Sequence, residues 1–277
     1  MGTRVSGLLT ILEPLVLSIH STAVISEQAQ ISPKASVGPY CVITGAVTIG
    51  AGTVVEAHAR IGSEFGEVVI GEDNYIQGGA AIGGPPQDWT YQQGKTRLEI
   101  GHHNRIGENA TIHLGTLKNN GVTRIGNDTF LMAYTHVAHD CDVGDRTLMI
   151  NLGQIGGHVV VEEHATVGGM TAVSQFVRIG TLSFLAMGGL VNKDILPYTI
   201  AEGRWAVPKA TNKVGLRRAG YSAAEIREID RAVRVLIDRS LTVDDAVDRV
   251  RSFGSSSPAI HHLIEFAAGS KRGLARL

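Results

Sequence analysis

Residues 125–191 read IGNDTF LMAYTH VAHDCD VGDRTL MINLGQ IGGHVV VEEHAT VGGMTA VSQFVR IGTLSF LAMGGL V, and every hexad opens on an aliphatic residue or Met. The series Ile125, Leu131, Val137, Val143, Met149, Ile155, Val161, Val167, Val173, Ile179, Leu185, Val191 is unbroken. A period of six matches neither a helix nor a simple alternating strand, so it predicts a repeat architecture. The same beat runs from Ile25 to Ile61 and, after a short insertion, through Ile70, Ile76 and Ile82. Most of the chain is therefore expected to be one solenoid.

Four residues after each aliphatic position the side chain is small, as at Ala35, Cys41, Thr53, Ala59, Thr129, Thr135, Cys141 and Thr147. Gly often follows the aliphatic directly, as at Val37-Gly38, Val143-Gly144 and Val167-Gly168. This suits a chain that runs a short strand, turns a corner and repeats. The aliphatic fills the interior, the small residue fits near the corner, and Gly allows close backbone approach or unusual φ. The pattern resembles the hexapeptide-repeat transferases. That resemblance implies a mainly β fold, a left-handed parallel β-helix of triangular section with three hexads per coil, against the usual crossover hand.

Composition agrees. The 277 residues carry 34 glycines and only 5% aromatics, which suits thin stacked coils better than a broad aromatic core. A formal charge of −1 argues against a nucleic-acid binder with a basic face. Cys41 and Cys141, the two cysteines, fall in the small-residue register and read as reduced structural thiols. Residues 7–19 are apolar, but Glu13 and Pro14 interrupt them and no span reaches the roughly 20 residues of a membrane helix. Residues 1–18 read as an N-terminal extension, residues 19–207 as the β-helix, and the protein as cytoplasmic with no integral membrane segment.

After Pro208 helical periodicity takes over, giving an expected small α-helical C-terminal domain over 208–277. Ser222 with Glu225 has the form of a capping box, and Ile226, Ile229, Val233, Leu236 and Ile237 share one helical face. Further helices are expected near Thr242 and Pro258. This tail should cover the end of the solenoid, bind a partner, or both. Two stretches interrupt the repeat, 83–98 and 114–124, and breaks in so regular a coil are where binding loops are expected.

Chemistry concentrates in Thr135-His136-Val137-Ala138-His139-Asp140-Cys141. With three hexads per coil, residues 18 apart stack on neighbouring rungs about 4.8 Å apart. His139 then lies under Gly157 and Gly157 under Gln175, with His158 beside the column and His136 on the same coil as His139. Clustered imidazoles suit proton transfer near neutrality.

At these residues the likeness becomes specific. The run Leu131 to Cys141, Gly156-Gly157-His158, Gly168 to Val173 with Gln175-Phe176, and Asn212 with Gly215-Leu216-Arg217-Arg218 resemble the UDP-N-acetylglucosamine O-acyltransferases that open lipid A biosynthesis, from about Ile19 to Leu274. That resemblance implies transfer of a 3-hydroxyacyl group from acyl carrier protein to the glucosamine 3-hydroxyl, with no cofactor and no metal. It implies His139 as general base, Asp140 as its orienting partner and the Gly157 N–H as oxyanion donor. His136, His158 and Gln175 would line the substrate site, Gln87 and Asp88 would hold the sugar, and Asn212, Arg217 and Arg218 would meet the nucleotide phosphates. Met187 and Trp205 would act as the acyl-chain ruler and shorten the groove to a medium chain of about ten carbons. A homotrimer with sites between chains is the implied assembly. The sequence departs from the pattern at Thr90, where Lys is common, at Ser174 for a second-site His, and at Leu114 for Arg. Three alternatives stay open: N-acylation of a 3-amino UDP sugar, a zinc enzyme of the hexapeptide carbonic anhydrase type using His136, His139 and His158, and a non-catalytic structural solenoid.

Overall fold

The computed structural model describes residues 19–277; the expected extension over 1–18 lies outside the described residues. The hexads fold into a left-handed parallel β-helix whose three faces are sheets of nine, eight and ten strands. Successive strands step from face to face, so each pairs with the strand one full coil later. His136 pairs with Gln154 and Gln154 with Ala172, a spacing of 18 residues. The aliphatic of every hexad from Ile125 to Val191 points inward and is buried, as are the small residues Thr129, Thr135, Cys141 and Thr147.

The corners show how the coil turns. The fourth residue of each hexad from Asp128 to Leu182 has φ between 52° and 66°, although none is Gly. A left-handed conformation costs an L-residue roughly 1–2 kcal/mol, and here the neighbouring rungs impose it. His158 N–H donates to His139 O at 3.0 Å and Phe176 N–H to Gly157 O at 3.0 Å, which fixes each corner to the one before. The glycines after the aliphatics play the other role. An added Cβ at Gly168 would meet Leu185 O at 2.3 Å, so close approach of rungs, not unusual φ, demands glycine there.

The interruptions change the spacing without breaking the ladder. Ile76 pairs with Ile106 and Ile106 with Leu131, offsets of 30 and 25 residues, so both insertions loop out between intact rungs. Strand Thr96–Ile100 begins within the first interrupting stretch and Val122–Ile125 within the second. Both expelled loops emerge beside the corner between the first and second faces, the corner that carries His139 and Asp140.

The last coil ends in an antiparallel pair, Thr199–Gly203 with Ala206–Thr211. Four helices follow: α1 (Lys213–Arg218), α2 (Ala223–Ile237), α3 (Val243–Arg251) and α4 (Pro258–Ala268). The Ser222/Glu225 capping box forms, and Thr242 caps α3. The predicted α2 face is buried in a second core that includes Leu196 and Tyr198 of the solenoid's end. Arg178 clamps the two parts, its guanidinium 4.0 Å from the Phe266 ring centroid and donating to Phe266 O at 3.2 Å. The tail then returns, and Ala275 joins the solenoid core.

Candidate active site

The register places His139, Gly157 and Gln175 on successive rungs of one corner. His139 Nδ1 and Asp140 Oδ2 are 2.8 Å apart, and both side chains are buried. Asp140 accepts two further bonds from the second insertion, from Thr116 N–H to Oδ1 at 2.9 Å and from Thr116 Oγ1 to Oδ2 at 2.7 Å. Its own N–H donates to Thr123 Oγ1 at 2.8 Å. Burial works against ionisation of Asp140, but the bonds from His139 and Thr116 outweigh it and hold the carboxyl below its ordinary range. An ionised Asp140 selects the tautomer with the proton on Nδ1, leaving Nε2 free as a base.

Gly157 lies against the imidazole. A Cβ there would come within 2.6 Å of His139 Cε1 and 2.8 Å of Nε2, so only glycine lets the next rung approach. The Gly157 N–H donates to none of the described residues. His158 meets His139 edge-on with centroids 5.2 Å apart and stacks on Phe176 at 4.5 Å and 6°. Burial lowers the His158 pKa; Asp140 opposes that, while His139 and Lys118 reinforce it.

Two more imidazoles extend the cluster. His136 Nδ1 is 2.8 Å from Thr111 Oγ1, and its ring lies 5.3 Å from His113, whose Nδ1 is 2.7 Å from Pro85 O in the first insertion. Burial, then His113 and His139, push His136 down to about 4, and burial also lowers His113. His139, Asp140 and His158 bring three potential ligand atoms within 4.8 Å of one another. Both oxygens of Asp140 already accept hydrogen bonds, however, which suits an orienting group better than a metal ligand. Cys141 is inert, its thiol pushed up to about 12 chiefly by burial.

The other expected residues distribute over the three corners. Gln175 is exposed on the His139 corner, and exposed Gln87 and half-buried Asp88 sit in the first insertion. Asn212 caps α1 by accepting from Gly215 N–H, and its amide nitrogen donates to Leu182 O at 2.8 Å, at the corner between the second and third faces. Exposed Arg217 and Arg218 close α1. Met187 and Trp205 are exposed near the third corner, between the third and first faces. One chain therefore unites the histidines with the insertions but not with the arginines or the ruler pair. Leu114, at a departure from the family pattern, is fully buried core. Sequence reasoning gave no role to Thr116, Thr123, Lys118, His113 or Phe176. Phe176 was within reach of the same arithmetic, since it lies 18 residues after His158.

A three-sided hexapeptide coil with a carboxylate-braced histidine at a loop-flanked corner defines the acyltransferase class of this fold. Residues 194–275 match the family model described as UDP N-acetylglucosamine O-acyltransferase, domain 2. An acyl-acyl-carrier-protein:UDP-N-acetylglucosamine O-acyltransferase of Thermodesulfovibrio yellowstonii is 40% identical over 258 residues, covering 93% of this chain and 99% of that one. The UDP-N-acetylglucosamine acyltransferase of Francisella novicida superposes with a TM-score of 0.90 at 35% identity, covering 94% of each chain. The UDP-N-acetylglucosamine O-acyltransferase of Moraxella catarrhalis gives 0.88 at 41%, covering 93% and 99%. The chain belongs to the UDP-N-acetylglucosamine O-acyltransferase family of enzymes.

Proposed function

We propose that this enzyme transfers a 3-hydroxyacyl chain from acyl carrier protein to the 3-hydroxyl of UDP-N-acetylglucosamine, the first step of lipid A biosynthesis, with His139 as general base. The observation that carries the mechanism is the buried His139–Asp140 pair at 2.8 Å. His139 Nε2 takes the proton of the sugar 3-hydroxyl as that oxygen attacks the thioester carbonyl. The carbonyl oxygen becomes an oxyanion that the Gly157 N–H receives. The attack forms the ester C–O bond; collapse of the tetrahedral adduct re-forms the carbonyl, breaks the C–S bond, and passes the proton from His139 to the leaving thiolate. His136, His158 and Gln175 line the acceptor site, Gln87 and Asp88 hold the sugar, and Asn212, Arg217 and Arg218 receive the nucleotide phosphates, for which the guanidinium fork is suited.

Met187 and Trp205 project from the coil near one corner, and their bulk limits the acyl groove to about ten carbons, each methylene being worth roughly 1–3 kcal/mol of discrimination. The scattering of these residues over three corners supports a homotrimer in which neighbouring chains complete each site. A reaction between acyl carrier protein and a nucleotide sugar supports a cytoplasmic enzyme. Among the described residues no helix is long and apolar enough to cross a membrane.

The test is single-turnover transfer by wild type and His139→Ala, with UDP-N-acetylglucosamine, its 3-amino analogue and 3-hydroxyacyl carrier proteins of graded length. The expected result is ester formation fastest near ten carbons, falling by about 10²- to 10⁴-fold in the folded variant. Transfer to the amino sugar alone would reassign the enzyme to N-acylation. An undiminished His139→Ala rate would remove the base.

A further inference from the structure

Lys118 has no role in the mechanism above, yet its side chain bridges the two insertions. Its ammonium lies between the carboxylate of Asp88 and the hydroxyl of Thr90, both in the first insertion. Asp88 Oδ1 accepts from Thr90 N–H and from Thr90 Oγ1, each at 2.9 Å, so both oxygens of this carboxylate are held. Lys118, then Thr90, keep Asp88 well below the usual carboxylate range. On the other side, Lys118 N–H donates to Thr116 Oγ1 at 3.3 Å, and Thr116 grips Asp140 through two bonds. One three-residue stretch of the second insertion thus holds the carboxylate behind the base and the acid of the first insertion. Packing joins the same two loops: a Cβ at Gly94 would meet Leu117 Cδ1 at 2.4 Å. A cavity of about 340 Å³ lies between them, bounded in part by Thr90, Tyr91, Thr116 and Lys118.

An ordinary ion pair at an exposed loop contributes little. This one differs because its carboxylate is fixed on both oxygens and because the loop that supplies the cation also positions Asp140. Fixing two long loops in advance removes ordering cost from the binding step. We infer that Lys118 is a positioning residue for the sugar acceptor, clasping the two insertions and aiming Asp88 at the bound UDP sugar. The inference rests on the acceptor reading proposed above. Thr90 Oγ1 touches both Asp88 and the Lys118 ammonium, so a lysine placed at position 90 should set an ammonium beside the same carboxylate from the first insertion.

The experiment measures kcat and both KM values for wild type, Lys118→Met, Lys118→Arg and the double variant Lys118→Met with Thr90→Lys, alongside amide hydrogen exchange over 83–98 and 114–124. Lys118→Met should raise the KM for UDP-N-acetylglucosamine about ten-fold, the scale of one charge-assisted hydrogen bond, with kcat and the KM for the acyl donor within about two-fold. Exchange in both loops should quicken. Lys118→Arg should keep most of the affinity, and Thr90→Lys should restore both affinity and protection. An unchanged sugar KM overturns the inference, as does a fall in kcat that Thr90→Lys leaves uncorrected. Failure of wild type to acylate any UDP sugar would count against the functional reading alone; in that event unaltered loop exchange in Lys118→Met would overturn the clasp as well.

Discussion

Gly157 and His136 show how tightly single residues are specified at the His139 corner. Gly157→Ala would set a methyl 2.6 Å from His139 Cε1, and the neighbouring backbone cannot retreat because the ladder fixes it on both sides. The imidazole must move, and a displacement near 1 Å costs about 10²-fold in rate. We expect Gly157→Ala to lower kcat by about that factor while far-UV circular dichroism stays native; full activity would contradict the contact. His136 makes a prediction about stability. Its folded pKa of about 4, caused first by burial, lies below the roughly 6.5 of an unfolded chain. The unfolded state therefore binds the proton first as pH falls. Stabilisation from neutral His136 is complete above about pH 6.5 and is lost as pH drops from there through about 4. His113 and His158 shift in the same direction. The urea midpoint should fall between about pH 7 and about pH 5, and fall less in His136→Gln; equal falls in both proteins would remove His136 from the account.

At the scale of elements, strands two residues long have almost no stability of their own, and each hexad holds only because the rungs above and below complete its hydrogen bonds. The helical domain behaves differently, since its ends are closed locally. Glu225 N–H donates to Ser222 Oγ at 3.3 Å and Ser222 N–H to Glu225 Oε2 at 2.7 Å. Ser222→Ala should cost about 1 kcal/mol and Ser222→Gly only a few tenths, measured as a shift in denaturant midpoint at constant slope; no loss in Ser222→Ala would mean that the cap contributes nothing. This contrast explains what was legible in the chain. Each rung makes the same demands on its interior, so Ile125 to Val191 announced the coil, and the caps at Ser222 and Thr242 announced helices from a few adjacent residues. The column His139, Gly157, Gln175 followed from the 18-residue spacing because no insertion falls after Ile125. Thr116 on Asp140 and Lys118 on Asp88 span 24 and 30 residues, separations set by loop lengths and loop conformation. No periodicity encodes those, so the bracing of the site had to be seen in three dimensions.

On the scale of the whole molecule, the decisive feature is that a three-sided prism keeps its corners apart. His139 stands between the first and second faces, whereas Asn212 is bonded to Leu182 between the second and third, and Met187 lies near the remaining corner. A single chain cannot fold these groups onto one substrate without undoing its core. Rotation about a threefold axis lets one chain's corner meet a different corner of its neighbour, and a closed ring of three repeats that contact identically. Subunit mixing tests this directly. His139→Ala removes the proposed base, and the double variant Arg217→Ala with Arg218→Ala removes the proposed phosphate cations; on the trimer proposed above, each variant alone should be nearly inactive. If every site takes its histidine from one chain and its arginines from the next, co-expression restores a site wherever an arginine-variant chain supplies His139 and a histidine-variant chain supplies the arginines. Random assembly at equal expression makes about a quarter of the sites intact, so activity should recover to roughly that fraction of wild type, in a species that sediments as a trimer. Sites built within one chain would regain nothing on mixing, and a monomeric active enzyme would show the same absence of recovery, so either outcome would refute shared sites.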